Sequence, residues 1–398
     1  MLPNTDTMKK EELLLSFATA ARNDQYMGNS NWRLETALNY IGSNLEKLNR
    51  LNNFEFIVTD WGSEIPLRKV LKLSPAAQKI TRFISVEQNI ALELNKSSRF
   101  NTVLPVNIAF RRSRGKYIAY TCSDILYSED FLKALFEIID GKRSLDFDVD
   151  QTLFLTYRRD IPQTLTRHLP DIFMLDWCIH NLKNFLPYGG QTVTRSFRVP
   201  IYKAAATLLM HRKLWYECGA FDERLIYWGW SEIDLMHRVA SKYSYKYFDA
   251  IGVPDVFHLD HKRLGINMYP FKKNEEVLSE IFNPNPDSWG LKDFIFEENV
   301  YSVPQSKNHS IDHDVTLSLR VKVRLTCWAV LGWAQLQALK ILRVLNYSLF
   351  AQFRISVWKR RIISVTERLK GKPVLQWPVE LWHLWLEGIR RWRGRGRL

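Results

Sequence analysis

The chain reads L-L-L-S-F-A-T-A-A-R-N-D over residues 13–24, F-E-F-I-V-T-D-W-G-S over residues 54–63 and K-Y-I-A-Y-T-C-S-D over residues 116–124. In each stretch an apolar, strand-forming run ends in a polar turn. Helices are predicted between these strands, over residues 31–51 and 107–114. The alternation of strands and helices predicts an α/β fold, with a mostly parallel open sheet flanked by helices.

Polar side chains stand where these strands end. They are Arg22 and Asp24 after the first stretch, Asp60 and Ser63 after the second, and Asp124 after the third. Because ligands of open α/β sheets bind at the carboxyl ends of the strands, we expect these side chains to line one site. For Asp24 the role of an ordinary turn residue stays open.

Acidic and metal-binding residue types cluster in a later stretch. Residues 218–223 read C-G-A-F-D-E, residues 227–235 read Y-W-G-W-S-E-I-D-L, and residues 258–261 read H-L-D-H. A helix is predicted over residues 231–241 and a strand over residues 245–253. The turn, the spaced acids and the His-x-x-His pair make this stretch the centre of the predicted chemistry.

Composition divides the 398 residues into three parts. Residues 1–282 form the globular part, within which residues 160–200 are predicted as loop-rich. Residues 283–314 are polar and rich in Pro and Asn, and they predict a linker. Residues 315–398 contain 17 Lys or Arg against three Glu, so this tail carries the whole net charge of +14. Half of the 14 Trp residues also lie in the tail.

Cysteine usage and hydropathy bear on the compartment. The four cysteines are scattered, with no C-x-x-C pair, which fits a reducing compartment and argues against a zinc finger. The N-terminus has no apolar signal core. The most apolar run of the tail, residues 325–339, is shorter than the roughly 20 residues that a membrane span needs. We therefore expect a cytoplasmic protein without a transmembrane segment.

The order of motifs in residues 13–140 resembles the nucleotide-sugar-binding half of an inverting family-two glycosyltransferase of the GT-A fold. The matching text is R-N-D after the first strand, D-W-G-S after the second, and C-S-D-I-L-Y-S-E-D-F-L from Cys122. The resemblance implies that Asp60 binds the base or ribose of a nucleotide-sugar, and that Asp124 binds a divalent metal ion on the diphosphate. Cys122 stands where the family has the first Asp of its D-x-D motif.

Residues 200–265 resemble the acceptor-binding and catalytic half of β-1,4-galactosyltransferases and related chondroitin-type transferases. The matching text is G-A-F-D-E from Gly219, W-G-W-S-E-I-D-L from Trp228 and H-L-D-H from His258. The resemblance implies that Glu232 is the general base, where the family has Asp. Ser231 stands where the family has an acceptor-binding Glu.

The departing diphosphate of a nucleotide-sugar carries charge that a hard divalent cation neutralises. The carboxylate of Asp124 and the imidazoles of His258 and His261 can bind such an ion, Mn²⁺ or Mg²⁺. The alternative is that these histidines cap or pack without binding a metal.

An acceptor hydroxyl has a very high pKa and needs a general base as it attacks the sugar. Glu232 and, second, Asp234 are the candidates. Their spacing points them to different faces of a helix, so one is expected to face the sugar while the other pairs with Arg238 or caps the helix. The alternative is that both acids only stabilise the first helical turn.

Four further side chains are predicted to bind substrate. Trp228 and Trp230 present ring faces on which sugars stack, although core packing is the alternative for one of these neighbouring aromatics. Asp222 and Glu223 either shape their turn or bind acceptor hydroxyl groups.

The tail interleaves Trp and Leu with Arg and Lys, which predicts a C-terminal basic amphipathic helical extension that binds an anionic membrane surface. This places the protein peripherally on the inner face of the cell membrane. Packing against the catalytic part and oligomerisation are the alternatives. Nucleic acid is not an expected partner, because no nucleic-acid-binding motif accompanies the basic residues.

These features predict a metal-dependent inverting glycosyltransferase. It would transfer a sugar from a nucleotide-sugar, by resemblance a UDP-sugar, to a saccharide or lipid-linked saccharide in surface polysaccharide or glycolipid synthesis. The alternative is a non-catalytic nucleotide- or glycan-binding protein that retains the GT-A fold, and Cys122 and Ser231 favour it.

Overall fold

The computed structural model describes residues 13–166, 172–189, 205–227, 229–261, 281–300, 318–334 and 337. One compact unit comprises residues 1–192 and 200–333, and a second comprises residues 193–199 and 334–398. Only residues 334 and 337 of the second unit are described, so the fold is that of the first. No helix of the described part combines the length and apolar character of a membrane span.

Ten strands of the described part form one sheet. They are β1 Leu15–Ala21, β2 Phe54–Trp61, β3 Thr81–Val86, β4 Tyr117–Thr121, β5 Ile125–Leu126, β6 Thr152–Ile161, β7 Ala205–His211, β8 Ser244–Tyr247, β9 Val256–Leu259 and β10 Glu297–Val300. The flanking helices are α1 Ser30–Lys47, α2 Leu67–Val70, α3 Pro75–Ile80, α4 Gln88–Asn95, α5 Leu104–Arg112, α6 Glu129–Ile139, α7 Gln163–Thr166, α8 Ile172–Leu182, α9 Arg212–Glu217 and α10 Ser231–Ala240. Residues 319–334 form one more helix.

The strand order is β10-β3-β2-β1-β4-β7-β6-β9-β5, with β8 beside β6. Strands β3, β2, β1 and β4 run parallel to one another, and β6 is parallel to β8 and β9. Antiparallel pairing joins β7 to β4 and β6, β5 to β9, and β10 to β3. The predicted α/β fold with mostly parallel strands flanked by helices is therefore confirmed.

Alternate residues of the central strands face two different cores. Phe17 of β1 and Phe56 of β2 pack into a core that also contains α1 and α6. Ala18 and Ile57, the next residues along, pack into a core on the other face with α5. This alternation follows from the two-residue period of a strand. Burial on both faces explains why β1 and β2 are mostly apolar and do not alternate strictly between apolar and polar residues.

Two stretches differ from their predicted secondary structure. Within residues 160–200, predicted as loop-rich, residues 172–182 form α8, whose apolar side chains Leu175 and Cys178 are buried. The strand predicted over residues 245–253 is shorter, because Phe248–Ile251 is a 3₁₀ turn that ends at Gly252 in the left-handed conformation.

The linker prediction is corrected for residues 283–300. The ring of Trp289 is buried, and the guanidinium of Arg111 lies over it, 3.6 Å from the ring centroid. Arg112 donates to the carbonyl oxygens of Gly290 and Leu291 at 3.0 Å. Strand β10 then adds to the edge of the sheet beside β3. Residues 301–314 of the predicted linker lie outside the described residues.

Candidate active site

The predicted nucleotide end of the site forms where β1 and β2 end side by side. Ala21 pairs with Asp60 in register, which brings the R-N-D turn next to the D-W-G-S turn. The backbone N–H of Asn23 donates to Ser63 Oγ at 2.8 Å, and Ser63 Oγ donates to Asp60. Arg22, Asp24 and Ser63 line a cleft of about 260 Å³ here. The structure thus brings the predicted residues of both turns together.

Asp60 itself is buried. Its Oδ2 accepts the backbone N–H of Leu67 at 2.7 Å. Burial raises the pKa of Asp60, and the hydrogen bonds from Ser63 and Leu67 partly offset this rise. Asp60 therefore stabilises its own turn, and Ser63 links that turn to the R-N-D turn. The predicted contact of Asp60 with a nucleotide stays a prediction.

Arg22 and Asp24 form an ion pair, with Arg22 Nη2 2.6 Å from Asp24 Oδ2. The guanidinium of Arg22 also lies over the ring of Phe100, 5.4 Å from its centroid. Asp24 Oδ1 accepts the backbone N–H of Tyr26 at 3.0 Å, as a turn-forming Asp does. These contacts fix the R-N-D turn at the mouth of the cleft.

Arg33, at the start of α1, connects this turn to Asp124. Its Nη2 donates to the carbonyl oxygen of Tyr26 at 3.1 Å, and its Nη1 donates to that of Gly28. Its Nε donates to Asp124 Oδ2 at 3.2 Å. One buried guanidinium therefore places the turn after β1 and the acid after β4 within reach of a single ligand.

Asp124, His258 and His261 converge, with one ligand atom from each lying within 4.8 Å of the others. His258 Nε2 is 3.5 Å from Asp124 Oδ1, and His261 Nε2 is 3.5 Å from Asp124 Oδ2. The pairing of β5 with β9 produces this arrangement, because it sets Ile125 opposite His258. One carboxylate oxygen and two imidazole nitrogens at this spacing could hold a divalent metal ion.

Charge and burial compete at this cluster. Burial alone would raise the pKa of Asp124, but His258, His261 and Arg33 hold it below its usual range. Burial acts to lower the pKa of His258, and the nearby Asp124 and Asp160 carboxylates raise it overall. An anionic Asp124 is the form that binds a cation.

Glu232 lies in the first turn of α10, close to the end of β4. Tyr120 Oη donates to Glu232 Oε1 at 3.3 Å and lies 3.8 Å from Cys122 Sγ. Ser231 Oγ donates to the other oxygen, Oε2, at 3.0 Å. Burial raises the pKa of the Cys122 thiol to about 11, and the negative charges of Asp124 and Glu232 contribute to that rise. Tyr120 Oη therefore contacts both Glu232 and Cys122, and Cys122 stands two residues before Asp124 in the chain.

Asp234 forms the pair with Arg238 that was predicted for one of the two acids, and a catalytic role for it stays a prediction. Asp234 is buried, and its Oδ2 accepts from Arg238 Nε at 2.8 Å. Arg238 also donates to the carbonyl oxygens of Cys218 and Ala220. The carboxylate of Asp234 therefore fixes α10 to the preceding turn, and only Glu232 of the two acids lies beside Tyr120.

Asp222 and Glu223 have protein partners as well. Asp222 Oδ2 accepts from Arg224 Nη2 at 2.6 Å. Glu223 Oε1 accepts the backbone N–H of Gly290 at 2.7 Å and Asn107 Nδ2 at 3.1 Å. These contacts correspond to the turn-shaping alternative and leave a contact with an acceptor as a prediction.

Of the two predicted stacking residues, Trp230 is described. It precedes α10 in the left-handed conformation, with φ 71°, and its carbonyl oxygen accepts the backbone N–H of Asp234 at 2.8 Å. The side chain is half-buried next to the helix start that presents Glu232. Trp228 lies outside the described residues, so its role stays a prediction.

Sequence reasoning did not identify Arg33, Tyr120 or Asp160 as parts of the site. Asp160 hydrogen-bonds His258 Nδ1 at 2.9 Å. The stretch T-L-F-L-T-Y-R-R-D over residues 152–160 ends in Asp160, just as the stretches before Asp60 and Asp124 end in an acid. That pattern is the signal that could have identified Asp160. Arg33 and Tyr120 stand in helix and strand patterns that do not distinguish them from ordinary residues.

No protein-family model matches the chain, and no curated protein matches it. Among solved structures, S. aureus TarS 1-349 aligns at 15% identity over 62% of this chain and 60% of that chain, with a TM-score of 0.36. The same protein in complex with UDP-GlcNAc aligns at 13% identity over 64% and 60%, also with a TM-score of 0.36. Its complex with UDP aligns at 15% identity over 59% and 60%, with a TM-score of 0.34. The alignments thus span about three fifths of these structures, and a likeness this distant assigns the chain to no family.

Proposed function

We propose that this protein is a metal-dependent glycosyltransferase that transfers a sugar from a nucleotide-sugar to an acceptor hydroxyl group. The observation that carries the proposal is the position of the Tyr120 hydroxyl, which contacts Glu232 and also Cys122, two residues before Asp124. On one side is Asp124, grouped with two imidazoles that fit a divalent cation. On the other is Glu232, at the start of α10. A bound cation can stabilise the departing diphosphate, and a separate acid can accept the proton of the acceptor hydroxyl, so the two groups together suit sugar transfer.

Each side has its own part in the proposed reaction. Asp124, His258 and His261 would hold Mn²⁺ or Mg²⁺, which supplies Lewis-acid stabilisation of the leaving diphosphate when bound. Glu232 would accept the proton of the acceptor hydroxyl. Ser231 and Tyr120 would orient its two carboxylate oxygens through the observed hydrogen bonds.

The finer parts of the proposal rest on the motif resemblance. They are a UDP-sugar as donor, inversion at the anomeric carbon, and a saccharide or lipid-linked saccharide as acceptor. A role in surface polysaccharide or glycolipid synthesis, at the inner face of the cell membrane, belongs to the same proposal. The cleft beside Arg22 and Asp24 is the expected position of the nucleotide, because it opens where β1 and β2 end.

The test is donor turnover by Glu232→Gln in the presence of Mn²⁺. The purified full chain is screened against UDP-sugars, and release of UDP is followed with water or a saccharide as acceptor. We expect turnover to fall by about 10²- to 10⁴-fold, the usual contribution of a general base, while donor binding is retained. The matched control is Glu93→Gln, the same substitution at an exposed position of α4. Wild-type turnover by Glu232→Gln would remove Glu232 from this role.

A non-catalytic binding protein is the second candidate, and Cys122 favours it. Cys122 offers sulfur where the resembled motif has a carboxylate, and hard cations such as Mn²⁺ and Mg²⁺ prefer oxygen ligands. The two candidates are distinguished by turnover in wild type. A nucleotide-sugar that stabilises the protein shows that it binds. If no chelator-sensitive release of UDP accompanies this binding, the protein is a binding protein and not an enzyme.

A further inference from the structure

We propose that Asp160 is a positioning residue that selects which nitrogen of His258 binds the cation. Asp160 accepts the Nδ1–H of His258 and thereby leaves the Nε2 lone pair for an ion shared with Asp124 and His261. This inference rests on the metal site of the proposed function, and it adds a residue to that site that the sequence did not indicate.

The two ring nitrogens of His258 face two different acids. Nδ1 is 2.9 Å from Asp160 Oδ1, a hydrogen-bonding distance. Nε2 is 3.5 Å from Asp124 Oδ1, on the side where His261 also approaches Asp124. A neutral imidazole has one N–H and one lone pair, so an N–H held by Asp160 directs the lone pair toward Asp124.

The strand register fixes Asp160 in this position. Parallel pairing of β6 with β9 sets Asp160 beside His258. On its other side, the backbone N–H of Asp160 donates to the carbonyl oxygen of Pro187 at 2.8 Å. The chain segment that contains Pro187 also approaches Asp160 at Gly189, where an added Cβ would lie 3.2 Å from Asp160 Oδ1 and 2.7 Å from Arg158 Nε. Main chain on both sides therefore holds the carboxylate against the ring.

A competing arrangement uses the same residues. Asp160, His258 and Asp260 form a second group whose ligand atoms lie within 4.8 Å of one another. A cation there would need the lone pair on Nδ1. A guanidinium lies beside both groups, Arg158 Nε 3.5 Å from Asp160 Oδ1 and Arg33 Nε 3.2 Å from Asp124 Oδ2, so charge does not distinguish them. Distance does, because Nδ1 is at hydrogen-bonding distance from Asp160, 2.9 Å, whereas the imidazole nitrogens around Asp124 stand 3.5 Å from its oxygens. The geometry therefore favours one ion on Nε2, with Asp160 outside its coordination sphere.

A carboxylate that accepts the far N–H of a ligating histidine fixes its tautomer, fixes the ring orientation and raises the basicity of the ligating nitrogen. Loss of such a partner typically weakens metal binding about 10- to 100-fold. We expect that range for Asp160→Asn, since the amide keeps the shape of the side chain and removes its charge.

The experiment measures Mn²⁺ binding to the full chain from the electron paramagnetic resonance signal of free Mn²⁺, without any nucleotide-sugar. Wild type is expected to bind one ion. Asp160→Asn should raise the Kd about 10- to 100-fold, and the matched control Asp260→Asn should leave it within about twofold. Two ions in wild type, an equal loss in both variants, or an unchanged Kd in Asp160→Asn would each overturn the proposal.

A second measurement covers the case in which Asp160→Asn does not fold. Wild type with ¹⁵N-labelled histidine is loaded with Cd²⁺, and the ring nitrogens of His258 are assigned by comparison with His258→Gln. A protonated Nδ1 and a Cd²⁺-bound Nε2 are expected, and Cd²⁺ on Nδ1 would overturn the inference. Neither measurement involves a sugar donor, so a failure here is distinct from a failure of the proposed glycosyl transfer.

Discussion

Cys178, whose thiol is fully buried in α8, is expected to make the fold less stable as the pH becomes alkaline. Burial raises its pKa from the usual 9.0 to about 12. The thiol therefore stays protonated in the folded chain while it ionises in the unfolded chain. Its contribution to the free energy of unfolding is complete below pH 9.0 and is lost as the pH rises toward the folded-state pKa.

We expect the free energy of unfolding to fall more steeply above pH 9.0 in wild type than in Cys178→Ala. One proton corresponds to about 1.4 kcal/mol per pH unit, so the two slopes should differ by about that amount. Urea unfolding at a series of alkaline pH values measures both slopes. Other groups that titrate in this range contribute equally to both proteins, and equal slopes would contradict the prediction.

Local sequence indicates the positions of some side chains in the site but not of others. The spacing of Glu232 and Asp234 predicts that they point to different faces of one helix. In the structure Glu232 lies beside Tyr120, and Asp234 forms a buried pair with Arg238. The helical period alone is enough for that distinction. Asp160 could not be found in this way, because its contact with His258 depends on how β6 and β9 pair across nearly 100 residues of sequence.

At the scale of elements, Asn107 of α5 holds the turn that precedes α10. The side chain is fully buried; its Nδ2 donates to the carbonyl oxygen of Phe221 at 2.8 Å and its Oδ1 accepts the backbone N–H of Phe221 at 3.1 Å. Asn107→Ala should lower the free energy of unfolding by about 2–3 kcal/mol, because the buried N–H of Phe221 loses this partner.

Chemical unfolding of Asn107→Ala measures this loss. The matched control is Asn89→Ala, the same substitution at an exposed position of α4, which should change stability by no more than about 0.5 kcal/mol. A similar small change in both variants would show that Asn107 does not fix the turn.

The elements that the sequence predicted are those whose pattern is local. Strands β1, β2 and β4 lie within the apolar runs that predicted them, and α10 begins at the predicted residue Ser231. Strand β10 was missed because its sequence is E-E-N-V. An edge strand with one ladder partner needs no apolar run, and its pairing with β3 spans more than 200 residues of sequence.

For the molecule as a whole, the basic tail determines the location that we expect for the protein. In the described part of the tail, residues 319–334 are helical, with Leu325 and Ala329 buried and Leu319, Leu331 and Trp333 exposed. Fourteen of the 17 basic tail residues follow residue 337. Each basic residue close to anionic lipid contributes about 1 kcal/mol, screened by salt.

We therefore expect the full chain to co-sediment with phosphatidylserine-containing vesicles at low salt, with less bound as salt rises and little bound to neutral phosphatidylcholine vesicles. A chain that ends after residue 337 should lose most of this binding, because only three basic tail residues remain. Its main thermal unfolding transition should be retained, since the described sheet and both cores precede that residue. If neither chain binds vesicles, and the shorter chain instead unfolds at lower temperature or changes its oligomeric state, the tail packs on protein rather than on lipid.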